Sequence, residues 1–465
     1  MCQALFLEFS PFFTAPIDYV YEIKKDRINN LTQERTEAVL KILCDKQALI
    51  SAVGNVQRAV SGKSALPVLD GILLRTLDSQ VLLAGYDLEL GILTCIEASV
   101  TQPGQIVLNA RLFGDIVRKL PGEQVELETD DRFQTIIRSG EAEFSIMGID
   151  AAEYPELPTV EDGDDISLPE ETLKSMIRQT LFAVAQTDIR PVHTGVQFRV
   201  EDHHLRLVAV DGSRLAIRSE EIASDATMEF VVPGKTLNEL LKLLGDGEET
   251  AVLHIGQQHI LTEVGGYSVV SRLLDGDFLA YQKAIPPQVT TEMLVNTRAL
   301  TDGVERASLV INDRIKSPLI CFFRQEGITI SCTTPLGSAR DHILTEQMQG
   351  NEEEMGFNSR FLLDALKNAE TDEVRIQLNG PVSPMKIMPV EGDSFLFLVL
   401  PVRLKAYTYE RNRDHHRHGV YPVGRAAQAG RGLRHRRTGQ IACTGREGPG
   451  KRPGMHHAGE KAGEG

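Results

Sequence analysis

No stretch of this 465-residue chain approaches the ~18–20 consecutive apolar residues that a membrane span requires. The first 21 residues are apolar in places. They lack a basic start and a small-residue cleavage pattern, and they carry Glu8 and Asp18, which argues against a secretory signal. The six cysteines (Cys2, Cys44, Cys95, Cys321, Cys332, Cys443) are scattered, with no C-x-x-C pair. That pattern indicates neither a zinc site nor a disulfide framework and leads us to expect a reducing cytoplasm. Catalytic signatures are missing too: there is no G-x-x-x-x-G-K-[ST] loop, no G-x-G-x-x-G after a strand, no H-E-x-x-H and no G-x-S-x-G. His203 and His204 are adjacent, and adjacent strand residues point to opposite faces, so they are expected to form an exposed turn rather than a metal site. The turn Asp211-Gly212-Ser213-Arg214 has no base nearby in sequence and is read as a connection between strands. No metal, cofactor or catalytic residue is expected.

At this length a prior of about three domains follows. Apolar residues make up 42% and charged residues 25%, the composition of a soluble globular protein. The formal net charge is −16, which at first argues against a nucleic-acid partner. Net charge averages over faces of different sign, however, and an acidic exterior with a basic stripe gives the same total.

One unit is written three times, about 124 residues apart, most clearly in amphipathic helices at 111–120, 235–244 and 360–369. Their apolar positions superpose as Phe113, Leu237 and Leu362, then Ile116, Leu240 and Ala365, then Val117, Leu241 and Leu366. Their basic positions superpose as Arg111, Lys235 and Arg360, then Arg118, Lys242 and Lys367. Seven residues is close to two helical turns, so each pair of cations shares a face. A core needs only the apolar match; a cationic face kept through three copies points to an anion along it, and phosphate contact fits.

Each copy opens with another helix, anchored by Leu49 and Val53, Leu173 and Ile177, or Leu300 and Val304. Segments 71–84, 195–210 and 318–333 read as strands broken by polar turns such as Asp78-Ser79 and Glu201-Asp202. Further strands are expected over 125–149, 251–274 and 374–402. Each copy is thus two helices against an antiparallel sheet, an α+β fold. The acidic stretch from Glu161 to Asp165 and Pro286-Pro287 are read as joints, and Glu352-Glu353-Glu354 as a solvated turn. The expected division is an extension over 1–39, repeats over 40–160, 166–287 and 288–404, and a tail over 405–465. From Thr408 onward the chain holds 12 Lys/Arg against 5 Asp/Glu, with 12 glycines and six of the twelve histidines, and it is expected to be disordered.

Leu66-Pro67-Val68-Leu69, Ala209 through Leu215, Phe357-Asn358-Ser359-Arg360 and Leu400-Pro401-Val402-Arg403-Leu404 resemble the bacterial DNA polymerase III β subunit, the sliding clamp. The resemblance runs from about Leu40 to Leu404. It implies three clamp-fold domains per chain and a ring made by a head-to-tail pair, with twelve helices around the hole and a continuous sheet outside. The implied function is to encircle duplex DNA without reading its sequence and to tether the replicative polymerase, with no catalysis. Clamp loader and repair proteins would dock through short peptide motifs. Basic inner helices attract the duplex while an acidic exterior repels it from the wrong surface.

By the same resemblance, Lys63, Arg111, Arg190 and Lys235 fall at or near DNA-facing positions, although Pro191-Val192 stands where one family member has adjacent aromatic residues. The implied peptide cleft comprises Val210, Gly212, Arg214, Leu215, Leu279, Lys283, Leu398, Leu400, Pro401, Val402 and Arg403, apolar residues rimmed by arginine. Val210 replaces a frequent threonine. Dimer closure would join Phe144 and Ile146 to the partner's Leu309 and Val310, with Glu141 and Glu143 near Arg340 and His342. Leu40-Lys41-Ile42 resembles a usual family start, so residues 1–39 are expected to be an over-extended start and the tail a foreign extension. Two alternatives stand beside this reading. One is a clamp-like scaffold that binds peptides without encircling DNA. The other is a Mg²⁺-dependent DNA-acting enzyme using Asp87, Asp211 and neighbouring acids.

Overall fold

The computed structural model describes residues 39–404 apart from 63, 161–162, 188–189, 312–316 and 346. The extension, the tail, Lys63 and part of the acidic joint therefore lie outside the described residues. Among the described residues six α-helices form two per repeat: α1 (Lys46–Val56), α2 (Ala110–Lys119), α3 (Glu170–Leu181), α4 (Gly234–Leu243), α5 (Thr297–Ser308) and α6 (Ser359–Lys367). Side-chain caps fix four of the starts. Asp45, Asn109, Asn296 and Asn358 each accept a hydrogen bond from a backbone N–H of the first turn, satisfying a donor the helix cannot use. The two helices of each repeat pack on each other, α1 with α2, α3 with α4 and α5 with α6.

Each repeat also opens with a strand directly before its first helix: Leu40–Asp45, Asp164–Pro169 and Thr291–Asn296. This corrects the expectation that a helix comes first. The strands expected over 71–84 and 195–210 are hairpins. The second turns at Asp202 and His203, both at positive φ (51° and 61°), one residue later than expected.

The strands of the described residues form three antiparallel sheets, and two of them run across repeats. In the first, Leu90–Gln102 of repeat one pairs with Tyr267–Arg272 of repeat two. In the second, Arg214–Glu221 of repeat two pairs with Phe395–Val399 of repeat three. Backbone hydrogen bonds thus carry the sheet through both junctions. Ala142–Met147 closes one end of the first sheet, and Gly337–Ile343 closes one end of the four-stranded third sheet. Both are largely exposed edge strands with unpaired backbone groups on one side.

The sheet faces turned toward the helices bury the main core, which includes Phe113, Phe198, Phe323, Phe357 and Phe397. The helices complete it with the residues that the repeat singled out. Phe113, Ile116, Val117, Leu237, Leu240, Leu362, Ala365 and Leu366 are all buried, and Leu241 is half-buried. With that stripe inside, the basic positions necessarily face outward.

Candidate nucleic-acid interface and junction cleft

Arg111, Arg118, Lys235, Lys242, Arg360 and Lys367 are all exposed on the outer faces of α2, α4 and α6. Most of them are already engaged. Arg118 pairs with Asp115 at 2.6 Å, Lys242 with Glu239 at 2.7 Å and Lys367 with Glu305 at 2.5 Å. Lys235 reaches back into the first repeat to Asp87. Among the described residues, only Arg111 and Arg360 of the six have no ion pair within the chain. Sequence spacing does not reveal Asp87 and Glu305, which lie far from their cations along the chain, whereas Asp115 and Glu239 sit one helical turn before theirs. The Arg118–Asp115 and Lys367–Glu305 pairs are exposed on both sides and are worth ~0–1 kcal/mol, so a backbone phosphate can replace the carboxylate at little cost, whereas the Asp87 and Glu239 side chains are only 6% and 15% exposed.

A cavity of about 840 Å³ opens on this side, lined by Lys235, Arg272, Arg360 and Arg214 together with Glu89, Asp275 and Asp364. It brings two of the repeated cations together across different repeats. It also adds Arg272, at the end of a strand, which no helical periodicity could reveal. Arg190 is exposed beside a short helix (Pro191–Thr194) in which Pro191 is also exposed and Val192 is turned inward.

The strands at the second junction sort the cleft residues by alternation. Ala209, Ala216, Phe397 and Val399 face the main core. Their neighbours Val208, Val210, Leu215, Ile217 and Leu398 face the other way and form a separate apolar cluster with Tyr281, flanked by Phe278, Ile285 and Leu396. Beside it Leu279 and Leu400 (each 39% exposed) and Val402 (42%) leave apolar surface open to solvent, and Lys283 and Arg403 are exposed. Pro401 is half-buried among them. Gly212 turns the hairpin at φ 82°, with no atom within 4 Å of the position a Cβ would take.

Arg214 does not join this cluster. By alternation it points to the helix side, where it is 9% exposed. Its guanidinium donates to Asp211 at 2.8 Å and to Asp364 of α6 at 2.5 Å, and it lies over the Phe361 ring at 4.6 Å. Arg214 thus ties repeats two and three together, and Arg403 is the exposed arginine beside the apolar cluster. The reason is geometric: an arginine next in sequence to a cleft leucine on a strand lies on the opposite face.

For dimer closure, Phe144 (38% exposed) and Ile146 lie on the edge strand Ala142–Met147. Leu309 (83% exposed) and Val310 follow α5. Glu141, Glu143, Arg340 and His342 are exposed on or beside the two edge strands, and Glu143 is bonded to Arg138 at 2.8 Å.

No catalytic centre emerges among the described residues. Asp87 and Asp211 are each neutralised by a basic partner, and no group of three or more His, Cys, Asp or Glu side chains could hold a metal ion. Burial pushes the Cys44 and Cys321 thiols up to about 12, far from nucleophilic character at neutral pH. His203 and His204 do not converge: one meets Asp225 and the other a backbone carbonyl. No described helix is long and apolar enough to cross a membrane.

Three repeats joined through continuous sheets, with a cationic helix side and a partly exposed apolar patch at the second junction, define the DNA clamp architecture. Comparison with known proteins agrees along the described chain. Residues 40–158 match the N-terminal domain of the DNA polymerase III beta subunit, 167–279 its central domain and 282–403 its C-terminal domain. The beta sliding clamp of Bacillus subtilis is 37% identical over 376 residues, covering 78% of this chain and all of the relative. That of Staphylococcus epidermidis is 32% identical over 375 residues, with the same coverage of each. Among solved structures, the Bacillus subtilis DNA polymerase sliding clamp superposes with a TM-score of 0.77 at 36% identity, covering 79% of this chain and all of that one. A putative DNA polymerase III beta subunit from Eubacterium rectale gives 0.75 at 34% identity, covering 78% and 99%. The chain belongs to the DNA polymerase III beta subunit family. Its function is that of a sliding clamp in DNA replication, a non-catalytic processivity subunit that works with DNA and a polymerase, and chains of this family close in pairs into a ring.

Proposed function

We propose that two copies of this chain close head to tail and hold duplex DNA through weak contacts from α2, α4 and α6. Arg111, Lys235 and Arg360 would meet phosphates first, with Arg118, Lys242, Lys367 and Arg190 completing the lining. The single observation that carries this is the exposure of the same cationic positions on three helices whose apolar faces are consumed by the core. Weak, exchangeable contacts suit sliding: the ion pairs already made by four of the six cations lower the gain from any one phosphate, so enclosure rather than affinity retains the DNA. Closure would join the edge strand Ala142–Met147, with Phe144 and Ile146, to the partner's surface around Leu309, Val310 and Gly337–Ile343. The sequence carries acids at Glu141 and Glu143 against bases at Arg340 and His342, which suits that joint.

The cleft at the second junction would take short peptides from the polymerase, the clamp loader and repair proteins. Val210, Leu215 and Leu398 form its floor; Gly212, Leu279, Lys283, Leu400, Pro401, Val402 and Arg403 form its margin. Anchoring apolar side chains in such a floor is how short motifs gain affinity from little area.

The test is retention of the full chain on closed circular DNA with a loader present. Wild type is expected to stay on the circle and to leave when the DNA is linearised. The triple variant Arg111→Glu, Lys235→Glu, Arg360→Glu should lose retention at least tenfold at low salt while remaining a dimer by sedimentation. Unchanged retention in the triple variant would refute the cationic-face reading. Equal retention on linear and circular DNA would refute enclosure.

A further inference from the structure

Residues paired across a sheet share a face, so the cleft floor can be followed strand by strand. One row runs Val210, Leu215, Leu398, Lys386, Gln377, Glu292. The equivalent row across the first junction runs Tyr86, Gly91, Val270, Leu261, His254, Asp165. Both rows end in a bonded polar pair: Gln377 donates to Glu292 at 2.7 Å, and His254 meets Asp165 at 2.6 Å. Between the apolar part and that pair, repeat two places a leucine and repeat three places Lys386.

Lys386 is 9% exposed, and its sequence neighbours Met385 and Ile387 face the main core, so its stem lies on the cleft side against Leu398. Among the described residues it makes no hydrogen bond and no ion pair. Burial alone pulls its pKa below the ordinary lysine value, with no carboxylate acting in the other direction. An ammonium has three donors and is costly to hold half-dehydrated without a partner. Leucine serves at the equivalent position, so packing does not require the charge.

We propose that Lys386 is a specificity residue of the peptide cleft, receiving a side-chain carboxylate of a peptide whose apolar residues occupy the floor at Leu215 and Leu398. This rests on the cleft reading above and adds to it the acidic character of the ligand. A partly dehydrated cation attracts a carboxylate more strongly than the solvated Lys283 and Arg403 at the margin, where water and salt screen the charge. The peptide's own end is a less apt source. Lys386 lies on an inner strand of its sheet, and a chain crossing the floor can continue over Gln377.

The experiment uses the full chain and fluorescein-labelled hexapeptides with leucine and phenylalanine anchors. A single aspartate is moved through each intervening position, each peptide has an asparagine twin, and all are amidated at the C-terminus. A further set has no aspartate and a free C-terminal carboxylate. In fluorescence anisotropy, wild type is expected to bind one aspartate register about tenfold more tightly than its asparagine twin. Lys386→Met keeps the stem and removes the charge; it should reduce that preference to within twofold by weakening the aspartate peptide alone. A preference that survives Lys386→Met, the lack of any preference in wild type, or a Lys386-dependent gain only for the free terminal carboxylate would overturn the proposal. Leu400→Asp, at a half-exposed site with little bearing on folding, separates the two readings. Full-strength binding in that variant, or no binding of any probe to wild type, would remove the cleft reading and this inference together. Loss of binding there, with the aspartate preference intact in Lys386→Met, would remove the inference alone.

Discussion

At the junction of repeats one and two, a Cβ on Gly91 would meet Leu157 at 2.6 Å and Val270 at 2.7 Å. At the 124-residue spacing of the repeats, Gly91 and Leu157 correspond to Leu215 and Tyr281 at the second junction. The first junction is closed by its own chain: Tyr86, Ala151 and Tyr154 form a buried cluster with Ile149 and Leu157 packed on it. Tyr154 even donates to the carbonyl of Ala84, at 3.4 Å. At the second junction the covering segment contributes Tyr281, yet Leu279, Leu400 and Val402 stay partly in solvent. The helix side differs in parallel. Asp87 takes Lys235 from the next repeat, whereas the corresponding Asp211 takes Arg214, leaving Arg360 unpaired among the described residues. Leu90 occupies the place of Arg214 in the first repeat. One scaffold thus makes a sealed joint and an open one by changing a few side chains at matched positions.

The Arg214 strut should give the largest effect. Replacing it with methionine leaves Asp211 and Asp364 facing each other with no cation between them. Breaking a buried pair costs ~3–5 kcal/mol, and the lower end is expected here because Asp364 is partly exposed and can rehydrate. The midpoint of denaturant unfolding should fall accordingly. Adding Asp364→Asn to Arg214→Met should restore more than half of the loss. If Arg214→Met alone changes nothing, the two junctions do not differ in the way their helices are held.

The repeat was legible because each amphipathic helix carries its own evidence within ten residues. Phe113, Leu237 and Leu362 recur with the same neighbours, and burial follows from that periodicity alone. The opening strands were hidden by their length. Leu40–Asp45 runs into α1 with only Asp45 as a boundary, and six residues with no intervening turn read as part of the helix. The apolar floor could be located through the family resemblance. The resemblance groups Arg214 with Leu215; its place on the opposite face needs the strand bounds, and its partner Asp364 lies 150 residues away. The same holds for Lys235 and Asp87, 148 residues apart, and no local pattern encodes such pairs. Lys386 was missed because a lone lysine in Met-Lys-Ile-Met-Pro reads as the solvated side of a strand until the pairing with Leu398 is known.

A middling effect is expected where the sealed joint is tightest. Gly91→Ala puts a methyl group into the space of Leu157 and Val270, and overpacking of this kind costs ~1–3 kcal/mol. Calorimetry should show a lower Tm. The volume-conserving change Leu215→Met at the open joint should stay within ~1.5 kcal/mol, because methionine fills nearly the same volume. Equal losses at the two sites would mean that the second junction is packed as tightly as the first.

The smallest change in stability tests the charge half of the comparison. Asp87→Asn keeps an oxygen to accept from the backbone N–H groups of Glu89 and Leu90, which the aspartate now caps at 3.1 and 2.8 Å. It releases Lys235, whose side chain is 54% exposed, so the lost pair should cost no more than ~1 kcal/mol. On DNA the effect should be larger than on folding. Lys235 would then stand as Arg360 already does, unpaired and beside the same cavity, and one more cation would be available to a phosphate. The log–log salt dependence of DNA retention should steepen by about one contact, ~0.9 in slope for each phosphate neutralised. Diffusion along the duplex should slow in step, since each added contact must break before the chain can move. An unchanged slope would mean that Asp87 does not compete with phosphate for Lys235, and the two junctions would then differ in their clefts but not in their hold on DNA.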